Sequence, residues 1–89
     1  MVVDQTINKG INMTDIKQRH AEITRRFLVG KTLSDLGRQI DRTRQEVYMW
    51  KSGKQSPPAV MLLKIIQLSA ADAWVIDWAE ECLRVYMEA

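Results

Sequence analysis

Cysteine and histidine are almost missing from this sequence of 89 residues, which contains one of each. A single cysteine, Cys82, cannot form an internal disulfide, and such a composition is typical of a protein from a reducing cytoplasm. His20 has no Cys/His cluster near it in the sequence, so we expect no zinc site, no other metal and no cofactor. The chain also contains no glycine-rich phosphate loop, no HExxH motif and no Ser/His/Asp set, which argues against an enzyme.

Long apolar runs and targeting signals are missing as well. No run approaches the ~18–20 residues that a membrane-spanning helix needs. The first ten residues, MVVDQTINKG, lack both the basic region and the apolar region of a secretory signal. We therefore expect a cytoplasmic protein that does not interact with a membrane.

Alternating runs rich in Val, Ile and Thr, which would indicate β-strands, do not occur, whereas apolar residues recur at helical spacings. This pattern predicts a compact all-α domain of five helices. Residues 1–11 show no periodicity and are expected to form a flexible arm. Residues 12–69 are expected to form a helix-turn-helix domain, and residues 70–89 a C-terminal helix that packs on it.

Two pairs of residues predict the starts of the second and third helices. Thr32 is followed three positions later by Asp35, and Thr43 is followed at the same spacing by Glu46. In a capping box the threonine hydroxyl and the acidic side chain each bind a backbone N–H that the helix leaves free. The second helix is therefore expected to begin after Thr32 and the third after Thr43. Gly53 is expected to end the third helix.

The other helix ends are predicted from single capping residues. The first helix is expected to begin at Asn12 or Thr14 and to end at Gly30, where a residue with positive φ is favoured. Ser56 precedes a pair of prolines and is the expected N-cap of the fourth helix. Ser69 is the expected start of the fifth.

The second and third helices carry the packing residues that a helix-turn-helix requires. Because the two helices cross closely, one position that faces the partner helix must be small. Apolar side chains must lock the pair from both sides. These packing positions are Leu36, Gly37, Ile40, Val47 and Trp50.

Residues 35–51 read DLGRQIDRTRQEVYMWK and resemble the lambda-repressor-like (XRE, Cro and C1-type) DNA-binding domains, in which this stretch is approximately ELAxxLGVSRQTVSRWE. The likeness extends from Gly30 to Ser69. Asp41 replaces the usual turn glycine, although aspartate tolerates the left-handed conformation. Arg42 replaces an apolar residue and is expected to turn out towards phosphate or solvent. The resemblance implies a lambda-repressor-like fold that binds double-stranded DNA.

The resemblance places the third helix in the major groove of DNA. It implies base-reading roles for residues on the exposed face of that helix: Arg44, Gln45, Tyr48 and Met49. Arginine can bond guanine, glutamine can bond adenine, and methionine can contact a thymine methyl group. Phosphate-binding roles are expected for residues at helix ends and in the following loop: Thr32, Arg42, Thr43, Lys51 and Lys54. The simpler alternative is a solvated helix face without a function.

The predicted C-terminal helix is more apolar than one packed face requires. Its apolar residues cover roughly 220° of the helix circumference, about twice the width of an ordinary buried stripe. We therefore predict a homodimer whose interface is formed by residues of this helix: Trp74, Trp78, Cys82 and Val85. Two recognition helices would then lie ~34 Å apart and read a palindromic operator. Alternatively, the helix wraps around its own domain and buries the whole arc.

Charge is distributed unevenly along the chain. Residues 1–70 carry 12 basic and six acidic side chains, a net charge of +6, whereas residues 71–89 carry one basic and five acidic side chains, a net charge of −4. A basic body with an acidic end fits a polyanion-binding face that points away from another function.

The resemblance and the charge together predict a DNA-binding transcription regulator, most directly a Cro-like phage or prophage repressor that works as a dimer. It would reside in the bacterial cytoplasm, associated with the nucleoid when bound, and would need no small-molecule ligand. A phage lysogeny activator and the antitoxin of a toxin–antitoxin pair have a similar plan. A different class is a protein-interaction module that uses the same scaffold to bind a partner such as RNA polymerase or a toxin.

Overall fold

The computed structural model describes residues 13–68 and 70–88, which form five α-helices and, over those ranges, no β-strand. The helices are α1 (Met13–Phe27), α2 (Leu33–Ile40), α3 (Arg44–Lys51), α4 (Ala59–Leu68) and α5 (Ala73–Glu88). The all-α prediction is confirmed for this part of the chain, in which no helix is long and apolar enough to cross a membrane. The predicted arm, residues 1–11, lies outside the described residues.

Both predicted capping boxes are present. The Thr32 hydroxyl oxygen accepts a hydrogen bond from the Asp35 N–H at 3.0 Å, and the Asp35 carboxylate accepts one from the Thr32 N–H at 2.7 Å. Thr43 and Glu46 repeat the arrangement, with both bonds at 3.1 Å. Because each threonine N–H bonds the charged form of the acid, the pKa of Asp35 and that of Glu46 lie below their usual values. Glycines with positive φ follow α1 and α3 at Gly30 and Gly53, as predicted.

Two helices begin later than the sequence predicts. α4 starts at Ala59, and the carbonyl of Pro58 accepts the first intrahelical hydrogen bond, from Leu62 N–H at 3.1 Å. Ser56 is therefore not its N-cap. α5 starts at Ala73, and its first turn is closed by hydrogen bonds to the carbonyl of Asp72. The first helix begins at Met13, between the two predicted cap positions.

The core forms where α5 lies antiparallel to α1. Trp78 Nε1–H donates a hydrogen bond to Thr24 Oγ1 at 3.0 Å, and both side chains are fully buried. The Trp78 ring also stacks on Trp50 of α3, with 5.8 Å between ring centroids and 28° between planes. The C-terminal helix α5 packs on both α1 and α4 and reaches α3 through this ring pair, so it joins the rest of the fold.

The burial of α5 corrects the predicted dimer interface. Trp78 and Cys82 are 0% exposed and Val85 is 1% exposed within a single chain, so these side chains have no surface left for a second copy. Trp74 is partly exposed, with the Lys31 ammonium 4.8 Å from its ring centroid. Burial also raises the pKa of the Cys82 thiol, which therefore stays protonated. The wide apolar arc packs on several helices of its own chain.

Ion pairs between α1 and α5 bring the two oppositely charged parts of the chain together. Arg19 Nη2 lies 2.6 Å from a Glu88 carboxylate oxygen, and Arg26 pairs with Glu81. Both pairs are partly exposed to solvent, so each contributes little to stability. Their consequence is electrostatic, since part of the basic charge of α1 is neutralised by the acidic C-terminal helix.

Candidate nucleic-acid interface

The turn between α2 and α3 is held by its backbone. Asp41 adopts the left-handed conformation, with φ 58° and ψ 47°, as its substitution for the usual glycine predicted. The Arg42 N–H then donates a hydrogen bond to the Gly37 carbonyl at 2.9 Å. A Cβ atom at Gly37 would lie 2.6 Å from the Arg42 carbonyl oxygen, which is closer than atoms approach without a clash. The small residue is therefore required by the turn, more directly than by the facing helix.

The packing residues predicted for this pair of helices lie on its inner side. Leu36 and Val47 are fully buried, and Trp50 is 2% exposed. Ile40 is partly buried and packs against the same core. The orientation of α3 is consequently fixed by its packing on α2 and α1 and by the stacking of Trp50 on the Trp78 ring.

The outer side of α3 carries the residues predicted to read bases. Arg44 and Gln45 are exposed, Tyr48 is 44% exposed, and Met49 is partly buried. Among residues 13–68 and 70–88, neither Arg44 nor Gln45 has a hydrogen-bond or ion-pair partner. The outer side of α3 thus presents two long polar side chains at its N-terminal end, neither of them engaged by another residue of the described ranges.

Two of the predicted phosphate-binding positions are already hydrogen-bonded to carboxylates of the same chain. The backbone N–H groups of Thr32 and Thr43 already bond the carboxylates of Asp35 and Glu46. A phosphate at either helix start would have to displace or approach an ionised carboxylate, which opposes its binding. The capping boxes therefore argue against a role for these backbone N–H groups as hydrogen-bond donors to a DNA phosphate.

Arg42 does not turn out freely, which corrects the prediction from the sequence. Its Nη1 donates a hydrogen bond to a Glu46 carboxylate oxygen at 3.1 Å, and its side chain is 35% exposed. Glu46 thus binds both the start of α3 and the arginine beside it. Much of the positive charge predicted at position 42 is balanced by this pair.

The C-terminal end of α3 has more basic groups than the sequence predicts. Lys51 is partly buried and Lys54 is exposed. Arg25 of α1 reaches across, and its Nη1 donates a hydrogen bond to the Lys51 carbonyl at 2.9 Å. Arg25 was not among the predicted site residues, because nothing in the local sequence links it to a residue 26 positions away. The structure therefore adds Arg25 to a basic group with Lys51 and Lys54.

The loop that follows α3 is bonded to the core through His20. Its Nε2 lies 2.8 Å from the Cys82 carbonyl, which can only accept, so Nε2 carries the proton and the Ser56 hydroxyl donates to Nδ1 at 2.8 Å. Tyr86 supports the same loop by donating to the Pro57 carbonyl at 2.7 Å. His20 is fully buried, and burial lowers its pKa. These bonds fix the loop that carries Lys54.

Comparisons of the chain with protein-family models, with curated proteins and with solved structures found no match. The likeness of residues 35–51 to lambda-repressor-like domains is therefore supported by the motif residues alone. Within the described ranges no group of three or more His, Cys, Asp or Glu residues is arranged to hold a metal ion.

Proposed function

We propose that this protein is a transcription regulator that binds double-stranded DNA sequence-specifically, with α3 as its recognition helix. The observation that supports this most is the pair of exposed side chains, Arg44 and Gln45, which have no hydrogen-bond or ion-pair partner among the described residues. They lie on a helix that packs against α1, α2 and the Trp78 ring of α5. The major groove is about 12 Å wide and admits such a helix.

The chemistry of the exposed face suits base recognition. Arg44 can donate two hydrogen bonds to the O6 and N7 atoms of guanine, and Gln45 can bond the N6 and N7 atoms of adenine. Lys51, Lys54 and Arg25 lie at the far end of α3, where they are suited to hold phosphates on either side of the groove. Bases are read at one end of α3 and phosphates are bound at the other.

Among regulators, a Cro-like repressor fits these features most simply. Repression by occupying a site requires only the DNA-binding face, whereas an activator or an antitoxin also needs a surface for a specific protein partner. The side chains of α5 that the sequence assigned to a dimer interface lie mostly inside the core, so they offer no such surface either.

Binding to duplex DNA is measured by fluorescence anisotropy on sites selected from a random library. We expect selection to enrich one short motif, and the affinity to fall steeply as salt rises, because phosphate contacts release counterions. No binding to any duplex at low salt would refute the proposal.

Three variants distinguish the base-reading role proposed for Gln45 from the phosphate-binding role proposed for Lys54. Gln45→Ala should reduce discrimination at one base pair by ~1–3 kcal/mol, whereas Lys54→Ala should weaken binding to all sequences alike. Arg38→Ala is the matched control, because Arg38 is an exposed arginine of α2 that pairs with Asp35 and lines a cleft beside Trp74. It should leave both affinity and sequence preference unchanged.

A further inference from the structure

An apolar groove runs between α4 and the turn that joins α2 to α3. It has a volume of about 460 Å³, and its apolar lining includes Ile40, Met61 and Ile65. Val60 stands at its edge and is 67% exposed, and Leu63, one turn further along α4, is 44% exposed. Single apolar side chains on a surface are ordinary, but a groove with an exposed apolar edge is typical of an interaction site.

The two walls of this α4 groove carry opposite charges. Asp41 lies on the turn and Lys64 lies on α4, and both side chains are exposed. In the part of the chain that the structure describes, neither has an ion-pair partner, whereas the adjacent Arg42 is paired with Glu46. The groove thus has the Asp41 carboxylate on one wall, beside the ion-paired Arg42, the Lys64 ammonium on the other wall, and apolar side chains between them.

This arrangement is complementary to itself. In a two-fold contact, each residue of one copy meets the same partner residue in the other copy, in both directions. An axis through the α4 groove would place Asp41 of each copy against Lys64 of the other. Val60 of each copy would then enter the groove of its partner.

We propose that the α4 groove is a self-association surface on which a second copy of this chain packs, with Val60 as the apolar anchor and two Asp41–Lys64 ion pairs at the edges. The surface replaces the buried part of α5 as the place where two chains meet. Self-association through this surface does not require DNA. If the chain also binds DNA as proposed, the contact joins two recognition helices close to their N-terminal ends, since Asp41 and Arg42 lie three and two residues before the first residue of α3.

Self-association is measured without DNA by sedimentation equilibrium over a wide range of protein concentration. We expect the mass to rise with concentration from that of one chain, 10.3 kDa, to twice that value. Val60→Glu should weaken association at least about tenfold, since it places a charge in an apolar contact. Val29→Glu is the matched control: Val29 is 77% exposed but does not line the α4 groove, and its substitution should change nothing. A wild-type chain that stays monomeric, or a Val60→Glu chain that associates normally, overturns the proposal.

Charge exchange tests the predicted pairing of residues. Asp41→Lys and Lys64→Glu should each weaken self-association, because like charges then face each other twice across the axis. A mixture of the two variants should associate as mixed dimers with the wild-type affinity, since opposite charges are restored at both contacts. A mixture no tighter than either variant alone overturns the two-fold arrangement. Circular dichroism checks that Asp41→Lys folds, and Asp41→Asn, which suits the left-handed turn, gives a second weakened variant.

Loss of self-association can be distinguished from loss of DNA binding. Val60→Glu should bind a duplex that carries a single half-site with unchanged affinity. Binding to a full palindromic site should become weaker for this variant and lose its dependence on the spacing of the half-sites.

Discussion

The Ser56 hydroxyl lies 2.8 Å from Nδ1 of His20, so the loop after α3 is hydrogen-bonded to the buried side of α1. His20 is the only histidine of the chain, and both of its ring nitrogens are engaged. The bond connects the titration of the buried His20 ring to the position of the loop that follows α3.

The stability of the protein should therefore decrease below neutral pH. Burial lowers the pKa of His20 in the folded chain from the ordinary value of 6.5; the hydrogen bond to the Cys82 carbonyl opposes this shift and the charge of Arg19 adds to it, so that the pKa remains lowered. The stabilisation is fully present above pH 6.5 and is lost as the pH falls towards the lowered pKa, because the unfolded chain binds a proton that the folded chain excludes. The slope is at most about 1.4 kcal/mol per pH unit. Urea unfolding at pH 7.5 and 5.5 measures this difference in the free energy of unfolding. His20→Gln should lower stability at both values and remove the difference, and an unchanged difference would exclude His20 as its source.

Gly37→Ala should destabilise the fold by about 1–3 kcal/mol and weaken DNA binding as well, since the added methyl meets the Arg42 carbonyl oxygen. Gly30→Ala provides the comparison, because its φ of +77° is strained for alanine but nothing described lies within 4 Å of the added atom. Gly30→Ala should lower the free energy of unfolding by about 1–2 kcal/mol without changing DNA affinity. Equal effects of the two variants on DNA binding would contradict this account of the turn.

Replacing Thr43 with alanine should reduce stability by about 1 kcal/mol, because the N–H of Glu46 loses its hydrogen-bond acceptor. Thr43→Ser keeps the hydroxyl and should remain close to the wild type. Chemical denaturation followed by circular dichroism measures both. The stabilisation from the Glu46 carboxylate is present above its unfolded pKa and is lost as the pH falls, since the pKa of Glu46 is lowered in the folded chain. A Thr43→Ser chain that is as unstable as the Thr43→Ala chain would argue against the capping role of the hydroxyl.

Trp78→Phe should cost about 1–3 kcal/mol, because it leaves the buried Thr24 hydroxyl without its indole donor. Trp74→Phe, at a partly exposed position of the same helix, should cost less than half as much. Trp78→Glu should unfold the protein rather than separate two folded copies, since it places a carboxylate in the core. Thermal unfolding separates these outcomes. If the Trp78→Glu chain instead stayed folded and only lost its ability to dimerise, the sequence-based prediction of α5 as the dimer interface would be supported.

Local structure was predictable from the sequence because it depends on residues three or four positions apart. Both capping boxes, the left-handed Asp41 and the glycines at positions 30 and 53 follow from such short-range rules. The helix periods likewise predicted which side of α2 and α3 faces inward.

Contacts between distant residues were not predictable in the same way. The periodicity of α5 shows that Trp78 and Cys82 lie on an apolar arc, but not whether that arc meets its own chain or another. His20 with Ser56 and Arg25 with the Lys51 carbonyl are separated by 36 and 26 positions, and no local pattern connects them. The Arg42–Glu46 pair spans only four positions, but the sequence assigned Glu46 to the capping box with Thr43 alone, so its second hydrogen bond, from Arg42, was not predicted.

The stacking of Trp50 on Trp78 gives the molecule an internal optical reporter. Two indole rings 5.8 Å apart and 28° from parallel couple their electronic transitions, and one ring belongs to α3 while the other belongs to α5. Near-ultraviolet circular dichroism of the unlabelled protein should therefore carry a signal from this pair. Any ligand that tilts α3 relative to α5 would change that signal, whereas one that binds to α3 without moving it would leave the signal unchanged.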